Sequence, residues 1–153
     1  MGFDQISLKG RALRLLSGRE HSRAELQRKL RQHETEPGEL AKALDELEAK
    51  GFISEQRVID SVVHRRSAKL GASRVRQELQ AKGLDPQAVA EAVAGLQGSE
   101  EARAREVWRK KFGELPRDAA EHGKQMRFLL TRGFGAEVVR RVVRGAPGLN
   151  VDD

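Results

Sequence analysis

The side chains in this sequence that could do metal, nucleophilic or acid–base chemistry do not fall in the spacings such chemistry needs. His21, His33, His64 and His122 sit on four different segments, with no i, i+4 pair and no zinc-hydrolase carboxylate motif. They read as surface or interface histidines. The absence of cysteine excludes disulfide scaffolds, thiolate nucleophiles and Cys-ligated zinc. There is no glycine-rich phosphate loop ending in Lys-Ser/Thr, and no Gly-x-Ser-x-Gly elbow. Carboxylates are plentiful but lie beside Lys or Arg, as Glu25 does with Lys29 at i, i+4, in the manner of salt-laced helix faces. The sequence therefore predicts a protein that is not an enzyme and that holds no metal or cofactor.

The basic residues are more informative. Across 65–82, Arg65, Arg66, Lys69, Arg74, Arg76 and Lys82 stand against the single acid Glu78. Across 103–111, Arg103, Arg105, Arg109, Lys110 and Lys111 stand against Glu106, and a third group joins Arg132, Arg140, Arg141 and Arg144 with Glu137. With a formal charge of +6 and a pI of about 10.1, the chain suits a polyanionic partner, nucleic acid or an acidic protein surface. A solvated helix face explains any one cluster better than a binding site does; three in succession predict a basic stripe. With 5 Phe, 1 Trp and no Tyr, a platform for stacking bare bases has little to draw on.

The elements that carry these residues are helices. Charged residues make up 34% of the chain and apolar ones 38%, which suits thin helical modules better than a single thick core. Ser22-Arg23-Ala24-Glu25 spells a capping box, and Asp85-Pro86 places a capping aspartate before a proline at the first helical position. Ser54 and Ser99, each followed by acids, open two further helices. Gly51, Gly83, Gly133 and Gly145 each follow a periodic run and a basic residue, a C-terminal signature. Between these marks the apolar spacing is three or four, as in Leu26/Leu30, Leu40/Leu44/Leu47, Val89/Val93/Leu96 and Val139/Val143, and no run alternates with period two. Nine helices and no strand are predicted. Residues 1–6 and 147–153 carry no periodic signal and are expected to fray.

The helices align with one another. Leu26, Val75 and Met126 correspond at separations of 49 and 51 residues, as do Leu30, Leu79 and Leu130. Leu40, Val89 and Val139, then Leu44, Val93 and Val143, correspond at 49 and 50. The chain thus reads as three tandem three-helix, helix-turn-helix-like repeats, 8–53, 54–98 and 99–146. Each has a long first helix, a short second helix, a glycine-punctuated turn and a third helix. Units this small bury little alone, so they are expected to pack end to end into an elongated, curved array. The third unit carries 12 basic and 7 acidic residues and the second 7 and 5, so positive charge builds toward the C-terminal two thirds.

The first unit also has the outline of a winged-helix DNA-binding core, from Ser22 to Ile53. Its would-be recognition helix is mainly acidic, however, with Glu39, Asp45, Glu46 and Glu48 against Lys42 and Lys50, and phosphate would repel it. No stretch approaches the roughly 20 apolar residues that span a bilayer, and the N-terminal segment lacks the apolar run of a secretory signal. A cytoplasmic protein is expected.

Residues 64–84 contain an Arg-rich helix end, a glycine turn and then Arg74-Val75-Arg76-Gln77-Glu78-Leu79-Gln80-Ala81-Lys82-Gly83. This resembles the central repeat of the RecX family, regulators of the RecA recombinase. Ser22-Arg23-Ala24-Glu25-Leu26 with Lys29-Leu30, the Lys50-Gly51-Phe52-Ile53-Ser54 joint, and Arg127-Phe128-Leu129-Leu130-Thr131-Arg132-Gly133-Phe134 extend the likeness over roughly residues 8–145. Three positions depart from it: Val58 and Val62 stand where aromatics are usual, and Ala72 where proline is often found. The resemblance implies a monomer that binds the RecA–single-stranded DNA filament and restrains strand exchange, ATP hydrolysis and co-protease activity. It also implies weak binding to single- and double-stranded DNA. On that reading Arg65, Arg66, Lys69, Arg74, Arg76 and Lys82 face the polyanion or filament, with Arg103, Arg109, Lys110 and Lys111 extending the stripe. A stand-alone basic helical nucleic-acid-binding module is the alternative.

Overall fold

A computed structural model describes residues 6–145, and almost all of the terminal segments expected to fray lie outside that range. The described residues form nine α-helices and no strand, in agreement with the period of the sequence. They are α1 (Leu8–Gly18), α2 (Arg23–Leu30), α3 (Glu39–Ala49), α4 (Glu55–Arg66), α5 (Ala72–Ala81), α6 (Pro86–Ala94), α7 (Glu100–Lys111), α8 (Ala119–Thr131) and α9 (Ala136–Arg144). Short 3-10 turns follow α2 and α6.

The caps are local chemistry and fall where the sequence puts them. Ser22 Oγ accepts from the Glu25 N–H while the Glu25 carboxylate accepts from the Ser22 N–H, the two halves of a capping box. Ser54 and Asp85 cap α4 and α6 from their side chains. Ser99 precedes α7 as predicted but does not cap it; its hydroxyl accepts from Arg103 Nε and donates to the Leu96 carbonyl.

The extensive helix pairings all lie within the groups α1–α3, α4–α6 and α7–α9, and each group closes on its own apolar cluster. The first is built on Leu26, Leu30, Leu40, Leu44 and Leu47, the second on Val58, Val62, Val75, Leu79 and Val93. The third is the leanest, with Ala104, Leu129, Phe134, Val139, Val142 and Val143. Val58 and Val62, both 1% exposed, fill the core where aromatics had been the usual choice.

The third unit corrects two readings of the sequence. Helix α8, with 13 residues, is the longest of all rather than a short second helix. Its register is also one residue off: Gln125 and Leu129 are buried, whereas Met126 is half-buried and Leu130 is 41% exposed. Gln125 therefore corresponds to Val75 and Leu26, and Leu129 to Leu79 and Leu30. The spacing between units two and three then becomes a uniform 50 residues, matching Val89/Val139 and Gly83/Gly133. An amide is tolerated inside because both its ends are used. Gln125 Oε1 accepts from Trp108 Nε1 at 2.8 Å, and its Nε2 donates to the Glu114 carbonyl at 3.0 Å.

The units meet through the ends of their second helices. The C-terminus of α5 abuts the N-terminus of α2, where Ser22 Oγ donates to the Lys82 carbonyl at 2.6 Å. The C-terminus of α8 abuts the N-terminus of α5 in the same way, where the Gly71 N–H donates to the Arg132 carbonyl at 2.8 Å. The helix dipoles run head to tail across both joints, so opposite partial charges face each other. The second joint is tighter. A Cβ on Gly71 would lie 2.3 Å from the Gly133 carbonyl oxygen, and Gly133 itself has a φ of +92° that only glycine adopts freely.

Gly71 has a φ of −78°, which any residue adopts, so Gly71→Ala isolates the close approach. It is expected to cost about 2–4 kcal/mol in urea unfolding followed by helical circular dichroism. Gly18→Ala, at a helical glycine with nothing within 4 Å of the added carbon, should be neutral or stabilise by up to about 1 kcal/mol.

Candidate functional site

The ten basic residues singled out by the sequence divide by what they touch. Arg65, Lys69 and Arg76 are exposed on the second unit and make no ion pair among the described residues; Arg65 lies in the last turn of α4, Lys69 in the α4–α5 connection and Arg76 on α5. Lys110 and Lys111 are exposed at the end of α7; Lys110 lies 3.9 Å from Glu106, and Lys111 sits over the Phe128 ring at 5.4 Å. Arg109 is exposed but pairs with Glu106 at 2.7 Å. Arg66 grips Glu78 with Nε and Nη2, at 3.0 Å for the shortest contact. Arg74 donates to the Thr131 carbonyl of the next unit at 2.9 Å.

Lys82 and Arg103 are spent inside the joints. Lys82 Nζ pairs with Glu25 at 3.0 Å, with only 17% and 8% of the two side chains exposed. Burial alone would push the Glu25 carboxyl up. Arg19, the Ser22 N–H and Lys82 all donate to it and hold it well below the usual carboxylate range, at about 2. Arg103 points into a cage of backbone oxygens, donating to Ser67 and Leu70 at 2.8 Å each and to Leu96 at 3.1 Å. Beside it the buried Glu100 carboxylate takes the Ala72 N–H on one oxygen at 2.9 Å and the Gly135 N–H on the other at 3.0 Å. These joint roles depend on backbone oxygens brought in from distant segments, and no sequence pattern announces them.

The remaining chemistry-bearing groups are structural. His21 is 3% exposed, deeper than a surface histidine. Lys29 Nζ lies 3.2 Å from His21 Nε2 and can only donate, so Nδ1 carries the proton and donates to the Arg19 carbonyl at 3.1 Å. Burial first, then the neighbouring Arg19 and Lys29 charges, depress its pKa. In the first unit Arg23 pairs with Asp45 and Glu48 of α3, so the acids of that helix are partly neutralised internally. In the third group Arg132 stacks over Phe128 at 4.5 Å and Arg141 bridges Glu101 and Glu137. Among the described residues no group of three or more His, Asp or Glu gathers to hold a metal, and no helix is long and apolar enough to cross a membrane.

Family models match the chain in three consecutive stretches: the RecX first three-helix domain over residues 9–47, the second over 54–93 and the third over 99–143. The chain belongs to the RecX family. The regulatory protein RecX of Leptothrix cholodnii is 52% identical over 140 residues, covering 92% of this chain and 89% of that protein. That of Ralstonia nicotianae is 49% identical over 148 residues, covering 97% and 92%. A crystal structure of RecX from Lactobacillus salivarius superposes with a TM-score of 0.68 at 20% identity, covering 90% of this chain and 92% of that one, and so shares the fold. Within the RecX frame, Ala72 acquires a specific role. Position N1 of a helix ordinarily accepts proline because its N–H has no helical partner, but here that N–H is bound to Glu100.

Glu25 gives the first joint a pH dependence. Its pKa falls on folding, so its contribution is complete above about pH 5 and is lost as pH drops toward about 2. Glu25→Gln should cost about 1–3 kcal/mol at pH 7. In urea titrations at successive pH values, the gap between the variant and the parent should close as the pH falls through that window; a gap that stays constant would assign the loss to packing.

Proposed function

We propose that this chain binds the RecA–single-stranded DNA filament and inhibits its recombinase, ATPase and co-protease activities, acting as a monomeric regulator and not as an enzyme. Membership of a family of regulatory proteins supports the reading. The observation that carries it is the set of cations the fold leaves unspent. Arg66, Arg74, Lys82, Arg103 and Arg109 have partners within the chain, whereas Arg65, Lys69 and Arg76 do not among the described residues. A fold that neutralises most of a cluster internally but leaves three members of it in solvent presents charge to a partner. Lys110 and Lys111 extend that charge along α7, and three small units in tandem offer a long surface with which to bridge neighbouring filament subunits. Residues 8–53, 54–98 and 99–146 serve as the three modules, with the first unit, whose third helix is mainly acidic, contributing length more than charge.

The decisive experiment follows RecA ATP hydrolysis on single-stranded DNA as the protein is titrated in. Suppression is expected at or below stoichiometric ratios. The combined variant Arg65→Ala, Lys69→Ala, Arg76→Ala should require at least tenfold more protein. It should also reduce the slope of log affinity against log salt by about 2. No suppression at several-fold excess, together with tight salt-sensitive DNA binding, would replace this reading with a stand-alone nucleic-acid-binding module.

A further inference from the structure

The repeat supplies its own reference for what the fold demands of its surface. With the register set by the buried residues, Met126 of α8 corresponds to Arg76 of α5 and Gln27 of α2, and Leu130 corresponds to Gln80 and Arg31. The Leu130 position is exposed in all three units, and the Met126 position is half-buried in units one and three and exposed in unit two. Units one and two fill them with polar or charged residues, and unit three alone makes them apolar. The α7–α8 connection departs in the same direction. It runs from 112 to 118, longer than its counterparts at 67–71 and 19–22, and it carries Leu115, 44% exposed, followed by Pro116. Leu115 and Leu130 lie outside the core, which is built on Leu129, Val139 and Val143, and Met126 packs against its edge while keeping part of its side chain at the surface.

These residues are gathered on one side of the third unit. Leu115, Pro116, Met126 and Val143 line a shallow depression whose remaining walls are His122, Arg140 and Arg144, and among the described residues no carboxylate lines it. His122, Met126 and Leu130 follow at i, i+4 spacing along α8, and Leu130 reaches a second depression at the joint with unit two, beside Val93 and Phe134. Arg144 makes no ion pair among the described residues, and Arg140 is held by Glu137 at 2.5 Å yet keeps half its side chain exposed.

We propose that the α8 face from Leu115 to Leu130 is a docking surface for an acidic segment of a partner protein. Apolar anchors of that segment, at helical spacing, fill the Leu115–Met126 and Leu130 depressions while its carboxylates meet Arg144 and Arg140. An apolar stripe flanked by cations, with an adaptable methionine in its floor, matches an amphipathic acidic helix laid against it. Nucleic acid fits this face poorly. Sugar–phosphate gains nothing from leucine and methionine, and the nearby aromatics are unavailable for stacking, since Phe112 packs edge-on against Phe128 and Arg132 covers the Phe128 ring. The assignment goes beyond the filament reading and does not depend on it, because it requires neither DNA nor Arg65 and Lys69, although Arg76 borders the Leu130 depression.

The test selects random dodecapeptides displayed on phage against the immobilised full-length chain. Selected sequences should carry Asp or Glu around Leu, Ile, Met or Phe spaced three or four apart. By fluorescence anisotropy a labelled winner should bind at least tenfold more weakly to Met126→Gln/Leu130→Gln, which installs the residue type the other units use, and to Arg144→Glu. Leu130→Gln alone, at the more exposed position, guards against a folding defect and should weaken binding by about threefold with an unchanged unfolding midpoint. The Arg65→Ala, Lys69→Ala variant, which leaves the Arg76 wall of the Leu130 depression intact, should bind as the parent does, which separates this surface from the filament reading. Failure to enrich acidic sequences, or winners indifferent to the α8 substitutions, overturns the proposal. So does a dimer in sedimentation that Met126→Gln/Leu130→Gln abolishes, which would assign the face to a second copy. A tenfold gain in peptide affinity on Asp152→Asn/Asp153→Asn would give the face to the chain's own acidic residues, and would likewise overturn it.

Discussion

The Glu100 carboxylate stands where four helix ends converge. One oxygen accepts the Ala72 N–H at the start of α5 and the other the Gly135 N–H just before α9. Arg103, held at 3.3 Å by the same carboxylate, turns its other Nη hydrogens to carbonyls that follow α4 and α6. Helix ends are where backbone groups have no partner within the helix, and a buried end left open costs roughly 1–3 kcal/mol for each unmet group. A unit of three short helices exposes six such ends around a small core, so thin units become possible only where a neighbour satisfies them. Desolvating a carboxylate and a guanidinium together is expensive. Here the expense is offset because both carboxylate oxygens and the guanidinium Nη groups are aimed at backbone groups that also need partners, while Nε donates to the Ser99 hydroxyl.

The first joint solves the same problem with different groups. Ser22, Glu25, Lys82 and Arg19 replace the direct backbone bond between Gly71 and Arg132, and no backbone-to-backbone bond joins α2 to α5. Unit one is therefore attached through side chains and unit three through main chain as well. The difference sorts the basic residues. Lys82 and Arg103 look like members of charged clusters along the chain, yet they are structural cations. The exposed cations without an ion pair among the described residues, Arg65, Lys69 and Arg76, are those at which neither joint arrives.

What was legible in the sequence was what is local. The capping box at Ser22–Glu25, the Asp85-Pro86 start and the left-handed glycines 51, 83 and 133 are set by residues within a few positions of one another. The threefold repeat was legible because core periodicity survives divergence. The register of α8 was misread for an identifiable reason: Met126 and Leu130 have the apolar character of core positions, while the residue inside is Gln125, acceptable only because Trp108 and Glu114 meet its two ends. The mismatch between separations of 51 in the second helix and 50 in the third was already a sign of the slip. The roles of Glu100 and Arg103 were not legible, since their partners are backbone atoms 28 to 36 residues distant along the chain.

That dependence on distant backbone explains why one small residue carries weight. At the first position of α5 an alanine and a proline would serve the helix equally well, and proline would even be favoured on its φ alone. Only the alanine offers an N–H, and Glu100 is oriented by it. Without that donor, Oε1 would keep Arg103 alone, at the longer of its two contacts, and the carboxylate would have less to hold it across the joint. Residue 72 and residue 100 are thus a matched pair on two different units. The same bond ties the end of the second unit that bears Lys69 to the first turn of α7. That pair and the Gly71–Gly133 contact together hold unit three against unit two.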